Sequence, residues 1–338
     1  TVGAIFIETP PTPDIDTVRE LYKIYRSNGC DSIVAMGGGS ALEIAKGLKL
    51  LLSTRSKNIL DCRGVNSIKN YINIPFVTVP TSSASGADVS NISLLKDNKS
   101  GRLMDFDTTA QLPQYSVLQP SLTCSAPIKS TALGVVDILA RAIEAYCGLN
   151  NNPLSQSFCA DAIGLVFANV DNLIADPNNV EARSAMMKAQ ALSAVGFSNS
   201  KSGIMHAIAY AIAEIYDTPY SMGLVVVMTK CLLFNMKPNE QKYARLAFYA
   251  VGEEKYVQLK AEERAQAFVQ KIDETVNMLR LKFEFAADLK SLGVDIDKLS
   301  ELAFRAYTES SVVTNAQSVD MKDILHILES CKGGSEND

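Results

Sequence analysis

The stretch Ser202–Gly223, SGIMHAIAYAIAEIYDTPYSMG, holds residues suited to acid–base chemistry. His206 and Tyr210 are four apart, so a helix over Gly203–Tyr216 places both on one face. Tyr220 follows a turn at Asp217-Thr218-Pro219. Asp137 and Arg141 are also four apart, the spacing of an intrahelical ion pair. Glu144 shares that face and reads as structural. A lone histidine on an apolar helix is most often a hydrogen-bonded core residue; two nearby tyrosines make His206 a candidate acid, base or orienting group. A second constellation is Gly37-Gly38-Gly39-Ser40, between an apolar run and a helical pattern. Glycines let the backbone approach a phosphate, and the first free N–H groups of a helix donate to it. Ser40 can add a hydroxyl. The spacing is not GxGxxG, and a tight turn that merely needs glycine reads the same way. No Ser–His–Asp or Cys–His nucleophile arrangement is visible.

These residues need elements to position them. The N-terminal half alternates strand-like and helix-like segments. Ala4–Ile7 reads as a strand closed by prolines, and Asp16 as the cap of a helix ending at Asn28-Gly29. Ser32–Met36 is a buried strand running into the glycine loop; Ala41–Leu52 is helical. Ile74–Val79 is a strand ending at Pro80 and the small-residue loop Thr81–Gly86. Two such loops at successive strand ends favour a ligand site, because open α/β sheets bind at the carboxyl ends of their strands. Asp97–Gly101 turns between Val89–Leu95 and Leu103–Phe106, an antiparallel excursion, and Tyr115–Leu118 is the last strand. Alternation of this kind predicts a parallel sheet.

After Pro127 the pattern is helical throughout. The segments are 128–147, 154–175, 180–197, 203–216, 222–235, 239–251, 261–279, 286–291, 297–307 and 321–332, with prolines in the gaps. The expected organisation is an α/β cofactor-binding domain over 1–119, an all-helical domain over 120–332 and a flexible polar tail over 333–338.

Composition narrows the function. The chain has 338 residues, a net charge of −5 and no basic stripe, which argues against nucleic acid and anionic membranes as partners. Apolar runs such as Leu224–Met228 and Cys231–Phe234 are broken by Lys230, and none reaches the length of a membrane span. The seven cysteines are scattered and never in a CxxC pair, as buried thiols of a cytoplasmic protein would be.

Taken in order, the motifs resemble the iron-containing, group III alcohol dehydrogenases, a family grouped with glycerol dehydrogenase and dehydroquinate synthase. GCDSIVAMGGGSALEIAKG is similar to the family's Gly-Gly-Gly-Ser signature, and VPTSSASGADVS to its Pro-Thr-Thr-Ala-Gly-Thr-Gly-Ser-Glu loop. ALGVVDILARAIEAY resembles its Gly-hydrophobic-Asp-Ala-Leu-x-His-Ala-Ile-Glu-Ala helix. SGIMHAIAYAIAEIYDTPYSMG resembles its His-Ala-x-x-His-x-x-Gly segment ending in Pro-His-Gly, and TNAQSVDMKDILHIL its last stretch. The resemblance covers essentially the whole chain. It implies a Rossmann-like, dehydroquinate synthase-like fold and hydride transfer between NAD or NADP and a small alcohol or carbonyl compound. Gly37, Gly38, Gly39 and Ser40 would hold the pyrophosphate. Thr81, Ser82 and Ser85 would line the phosphates and nicotinamide ribose, and Arg102 falls near the position where the family keeps a ribose-contacting lysine. A homo-oligomer is expected by the same analogy.

The sequence departs from that pattern. The chain begins at or near the family's second strand–helix unit, as a truncated or split chain would, which leaves the choice between NAD and NADP open. Glu43 stands for the family's Asp and Ala87-Asp88 for its Ser-Glu. The family holds its metal, iron or zinc, by one Asp and three His. Asp137 and His206 match two of these; Arg141 and Tyr220 replace the other two. Tyr210 replaces a further His assigned to proton relay. The chain has only two histidines, and the other, His326, lies outside the motifs.

Two ligands with an arginine between them predict no metal. Arg141 either neutralises Asp137 in a plugged relic, or does the metal's electrostatic task, clamping an anionic or polar substrate while Tyr210 or Tyr220 relays a proton. Three readings stay open: a metal-independent reductase of a small carbonyl compound, an inactive relative serving as a binding or assembly subunit, and a metal dehydrogenase with other ligands.

Overall fold

The computed structural model describes residues 1–64, 68 and 70–333. The chain divides into two compact units, Thr1–Ala126 and Pro127–Asp338. The turn Pro120–Thr123 therefore groups with the first unit. The tail beyond Gly333 lies outside the described residues.

Among the described residues, the first unit contains helices α1 (Ile15–Ser27) and α2 (Gly39–Thr54) and five strands. β1 (Ile33–Gly37), β2 (Phe76–Pro80) and β5 (Tyr115–Ser116) form a parallel sheet in the order β1-β2-β5, with Ile33 opposite Phe76 and Gly37 opposite Pro80. β3 (Ile92–Lys96) and β4 (Leu103–Asp107) form a separate antiparallel pair, whose turn uses Gly101 at φ +74°. The expected parallel sheet and antiparallel excursion are both present.

Several local expectations are corrected. Ala4–Ile7 is not a strand: it pairs with no strand among the described residues, and Ile5 and Ile7 are exposed. The cap of α1 is Asp14, whose side chain accepts from Thr17 N at 2.7 Å; Asp16 pairs with Arg19 in the first turn. β1 is buried on one face only. Ile33 and Ala35 point into the core, whereas Val34 is 71% and Met36 61% exposed.

Helix α2 organises this unit. Leu42, Ala45 and Leu48 pack with Tyr25, Ile33 and Phe76, while Ile44, Leu50 and Leu51 pack with Ile15, Val18, Leu95 and Phe106. It also buries two lysines. Lys46 donates to Ser90 Oγ and the Ile92 carbonyl, and Lys49 to the Leu112 carbonyl, so each buried ammonium finds an oxygen acceptor. These bonds tie the segments flanking the hairpin to the helix that starts at the glycine loop.

The second unit is all helical: α3 (Ile128–Cys147), α4 (Pro153–Ala175), α5 (Val180–Ser200), α6 (Ile204–Tyr216), α7 (Tyr220–Phe234), α8 (Met236–Val251), α9 (Glu253–Gln258), α10 (Arg264–Phe283), α11 (Leu299–Tyr307) and α12 (Met321–Ser330). Residues 286–291 are not helical, and α9 falls where no helix was expected. Pro153 and Pro238 fall inside the first turns of α4 and α8 rather than in gaps; early positions need no intrahelical N–H, so proline fits there. Helix α4 is long and apolar enough to cross a membrane by length and composition, a correction to the sequence reading. Its Cys159, Ala162, Ile163, Val166 and Leu173 are core residues packed with α3 and α5, as in the buried helix of a globular core.

Helix α3 is the axis of this core. From Gly134 to Cys147 every residue is buried, with α4, α5 and α7 packed around it. Each fully buried Val, Ile or Leu there contributes about 1.5–3 kcal/mol. Small Ala132, Ala140, Ala142 and Ala145 let the neighbours approach. Three buried charged side chains ride on this apolar helix: Asp137, Arg141 and Glu144.

Candidate functional sites

In the first unit, β1 and β2 deliver their loops side by side. The Thr81 N–H donates to the Gly37 carbonyl at 2.9 Å. A Cβ built at Gly39 would stand 2.9 Å from Cβ and Oγ of Ser85, and one at Gly38 would stand 3.6 Å from Ser82 Oγ. The structure thus brings Gly37, Gly38 and Gly39 together with Thr81, Ser82 and Ser85. Gly38 is the N-cap of α2 and has no side chain to occupy the helix's first N–H groups. Such a cradle fits a phosphate: it is free of bulky side chains and opens on a helix N-terminus. Ser40 Oγ donates to the Pro11 carbonyl at 2.5 Å. Arg102 is exposed beside the hairpin turn, where its carbonyl accepts from Asp97 N.

In the second unit, the charged face of α3 meets α5, α6 and α7. Asp137 is the hub. Its Oδ2 accepts from the Arg141 guanidinium and from the Tyr220 hydroxyl, the latter at 2.7 Å. Arg141 also donates to Ser193 Oγ of α5 at 3.3 Å. His206 Nε2 lies 3.5 Å from Asp137 Oδ1, which accepts no hydrogen bond among the described residues. On its other side, His206 Nδ1 lies 2.5 Å from Glu144 Oε2. Asp137, Arg141, Glu144 and His206 are all buried.

Aromatic rings close the arrangement. Tyr210 meets His206 edge-on at 5.6 Å between centroids and Tyr220 at 5.3 Å, while Phe197 stacks on His206 at 6.2 Å. Tyr210 and Tyr220 are half-buried. Tyr220 is the first residue of α7, which starts at 220 rather than the expected 222, with Pro219 as its N-cap. Asp217, in the left-handed region at φ +50°, ends α6 and reverses the chain.

The protonation states follow from this packing. Burial alone would raise Asp137, but the Arg141 guanidinium, with His206 and Tyr220, holds it below the usual carboxylate range. Burial opposes charge on His206, yet Glu144 and Asp137 outweigh it and raise its pKa to about 9. Burial, then Asp137, pushes Tyr220 well above its ordinary value, so it stays a hydroxyl donor. Two cations and two carboxylates alternate through the core. Among the candidate residues, Arg141, His206, Tyr210, Tyr220 and Asp137 are all brought together. Glu144 proves to be a direct partner of His206, and Ser193 and Phe197 complete the surroundings. The spacing of Glu144 on the Asp137 face was the available signal; nothing local marks the other two.

Family models match both units: residues 2–120 match iron-containing alcohol dehydrogenase, and residues 131–331 the C-terminal region of the Fe-containing alcohol dehydrogenase family. The chain belongs to the iron-containing alcohol dehydrogenase family. Its activity class is that of an alcohol dehydrogenase-like oxidoreductase, and the reading as an inactive relative finds no support among its likenesses. It is 29% identical to the sulfoacetaldehyde reductase of Bilophila wadsworthia over 96% of this chain and 83% of that protein. It is 25% identical to the NAD-dependent methanol dehydrogenase of Bacillus methanolicus over 96% of this chain and 83% of that one. A crystal structure of 1,3-propanediol oxidoreductase superimposes with a TM-score of 0.89 at 25% identity, covering 97% of this chain and 84% of the other.

The family implies a nicotinamide cofactor and a metal, and this iron-containing dehydrogenase relative fits the two differently. The glycine cradle fits the first. The donor set does not fit the second: a guanidinium cannot coordinate, and here it binds the very carboxylate a metal would need. Glu144 faces His206 and the Met205 N–H. Among the described residues no cluster of three or more His, Cys, Asp or Glu could hold a metal ion.

Proposed function

We propose that this protein is an NAD(P)-dependent oxidoreductase of a small alcohol or carbonyl compound in which Arg141 and His206, rather than a metal, supply the positive charge. The observation that carries this reading is the convergence of both cations on Asp137, with Asp137 Oδ1 and His206 Nε2 left side by side. An acceptor beside a donor is what an alcohol hydroxyl requires.

Gly37, Gly38, Gly39, Thr81, Ser82 and Ser85 would hold the cofactor, whose nicotinamide supplies or takes the hydride when bound. The protein's own residues handle the proton. In the reducing direction, the His206 imidazolium donates Nε2–H to the carbonyl oxygen and gives up that proton as negative charge develops. Arg141 keeps Asp137 ionised, and Tyr220 fixes its Oδ2. Tyr210 packs on both rings. Because Arg141 is balanced by Asp137, this guanidinium does not favour an anionic substrate over a neutral one. The similarity to a sulfoacetaldehyde reductase keeps small anionic aldehydes among the compounds to test. The free thiols suit a cytoplasmic setting, and a homo-oligomer is proposed on family analogy.

The test is oxidation of NADH and NADPH with a panel of small aldehydes, using chelator-treated protein whose metal content is measured on the same sample. Turnover without metal supports the reading. Absence of turnover with every aldehyde and both cofactors contradicts it.

A further inference from the structure

Glu144 stands at a junction of three elements. It projects from α3 onto the N-terminus of α6, where Oε1 accepts the Met205 N–H at 2.6 Å and Oε2 lies 2.5 Å from His206 Nδ1. Asn315 Oδ1 accepts the neighbouring Ile204 N–H at 3.3 Å. The N-cap, Gly203, has no side chain, and none would fit: a Cβ there would stand 2.8 Å from Asn315 Oδ1 and 3.0 Å from Glu144 Oε1. Helix α6 is thus capped from outside, by a carboxylate favoured at a helix N-terminus.

The same carboxylate fixes which imidazole nitrogen keeps its proton once Nε2 has given up its own. An ionised carboxylate only accepts, so Nδ1 must donate to it. With Nδ1 and the helix start both gripped, the ring's only remaining nitrogen, Nε2, is aimed at Asp137 Oδ1.

We propose that Glu144 is the positioning residue of the reaction: it clamps His206 by Nδ1 and thereby presents Nε2 to the reacting oxygen. This rests on the reading of the His206–Asp137 cluster as the reacting site. The role is separable from helix capping, because capping needs only Oε1, whereas aiming the ring needs Oε2.

Glu144→Gln separates the two. Its amide oxygen can still accept from Met205, but its NH2 group then faces Nδ1 as a donor, which the protonated Nδ1 cannot accept. A short N–H···O bond to a carboxylate gives a far-downfield imidazole proton in the NMR spectrum, and with only two histidines in the chain a His206→Gln control assigns it. The wild type should show this resonance, and Glu144→Gln should lose it. The variant's kcat should fall at least roughly 10–100-fold, the scale for losing the partner that orients a metal-bound histidine. Its KM for the cofactor should be unchanged. Glu144→Asp, which keeps the charge with a shorter reach, should recover part of kcat, and it carries the test if the Gln variant does not fold. A resonance that persists in Glu144→Gln, or a lost resonance with undiminished kcat, overturns the proposal. If the wild type turns over no substrate, the oxidoreductase reading fails, while the resonance still decides whether Glu144 holds His206.

Discussion

The Tyr220 hydroxyl donates to Asp137 Oδ2 at 2.7 Å, across from α7 to α3. That oxygen also takes the Arg141 guanidinium, so two donors that cannot be metal ligands in their present state share one acceptor. Tyr220→Phe removes one of them and leaves the ring packing intact. Hydrogen bonds to charged groups contribute about 1.5–3 kcal/mol, and stability in denaturant should fall by that order. An unchanged unfolding midpoint would show that this bond contributes nothing.

Arg141→Ala should be costlier. It strands Asp137 in the core, and removing one partner of a buried pair costs about 3–5 kcal/mol. Arg141→Lys returns the charge without the fork, and should recover part of the stability. Thermal unfolding and kcat/KM are to be compared on the same samples. A loss of kcat/KM in Arg141→Lys, beyond what its stability explains, shows that the guanidinium acts on the reaction through Asp137. Full kcat/KM in a merely destabilised Arg141→Ala protein would make the pair a filled relic.

Stability should decline across the alkaline side of neutrality. The pKa of His206 is raised in the folded chain to about 9 from its ordinary 6.5. A group raised on folding stabilises fully below its unfolded value and loses that contribution as pH climbs through its folded value. Between the two values the slope is about 1.4 kcal/mol for each step of one in pH. Denaturant titrations between pH 6 and 10 should show the fall, and His206→Gln should flatten it. An equal slope in that variant would assign the fall to other groups. Asp137, held low, acts in the opposite sense: its contribution is lost only in acid, as pH drops through its depressed value.

Gly39→Val tests the cradle. The added Cβ would press on Ser85 at 2.9 Å, at the first residue of α2. Binding of NADH followed by fluorescence should be abolished while the circular dichroism spectrum is retained. Unchanged affinity in the folded variant would move the cofactor elsewhere.

Much of this was readable from the sequence, and the reasons differ by residue. Asp137 and Arg141 meet because a helix brings i and i+4 together, so spacing alone announces their pair. The loops after β1 and β2 were legible because glycine and small hydroxyl residues mark where a strand stops. Boundaries set by tertiary context were not. Tyr220 opens α7 with Pro219 at its N-cap, and Ala4–Ile7 finds no partner strand among the described residues, which no local pattern could foretell. The bond from Glu144 to His206 spans 62 residues and exists only after α3 and α6 pack. An i+7 position on a helix face hints at a shared direction, not at what it will touch.

Restoring the family's ligands should restore its metal. Arg141→His with Tyr220→His places imidazoles at the two positions that now contact Asp137, completing one Asp and three His. The double variant should retain near-stoichiometric zinc or iron through gel filtration. A metal-free double variant would show that the surrounding packing, not the ligand identities, excludes the ion.

The most direct measurement is the rate of aldehyde-dependent NADH or NADPH oxidation by protein stripped with chelator and verified free of iron and zinc. The account predicts that turnover survives stripping and is not raised by added metal. Turnover that disappears on stripping and returns only with near-stoichiometric metal would contradict it.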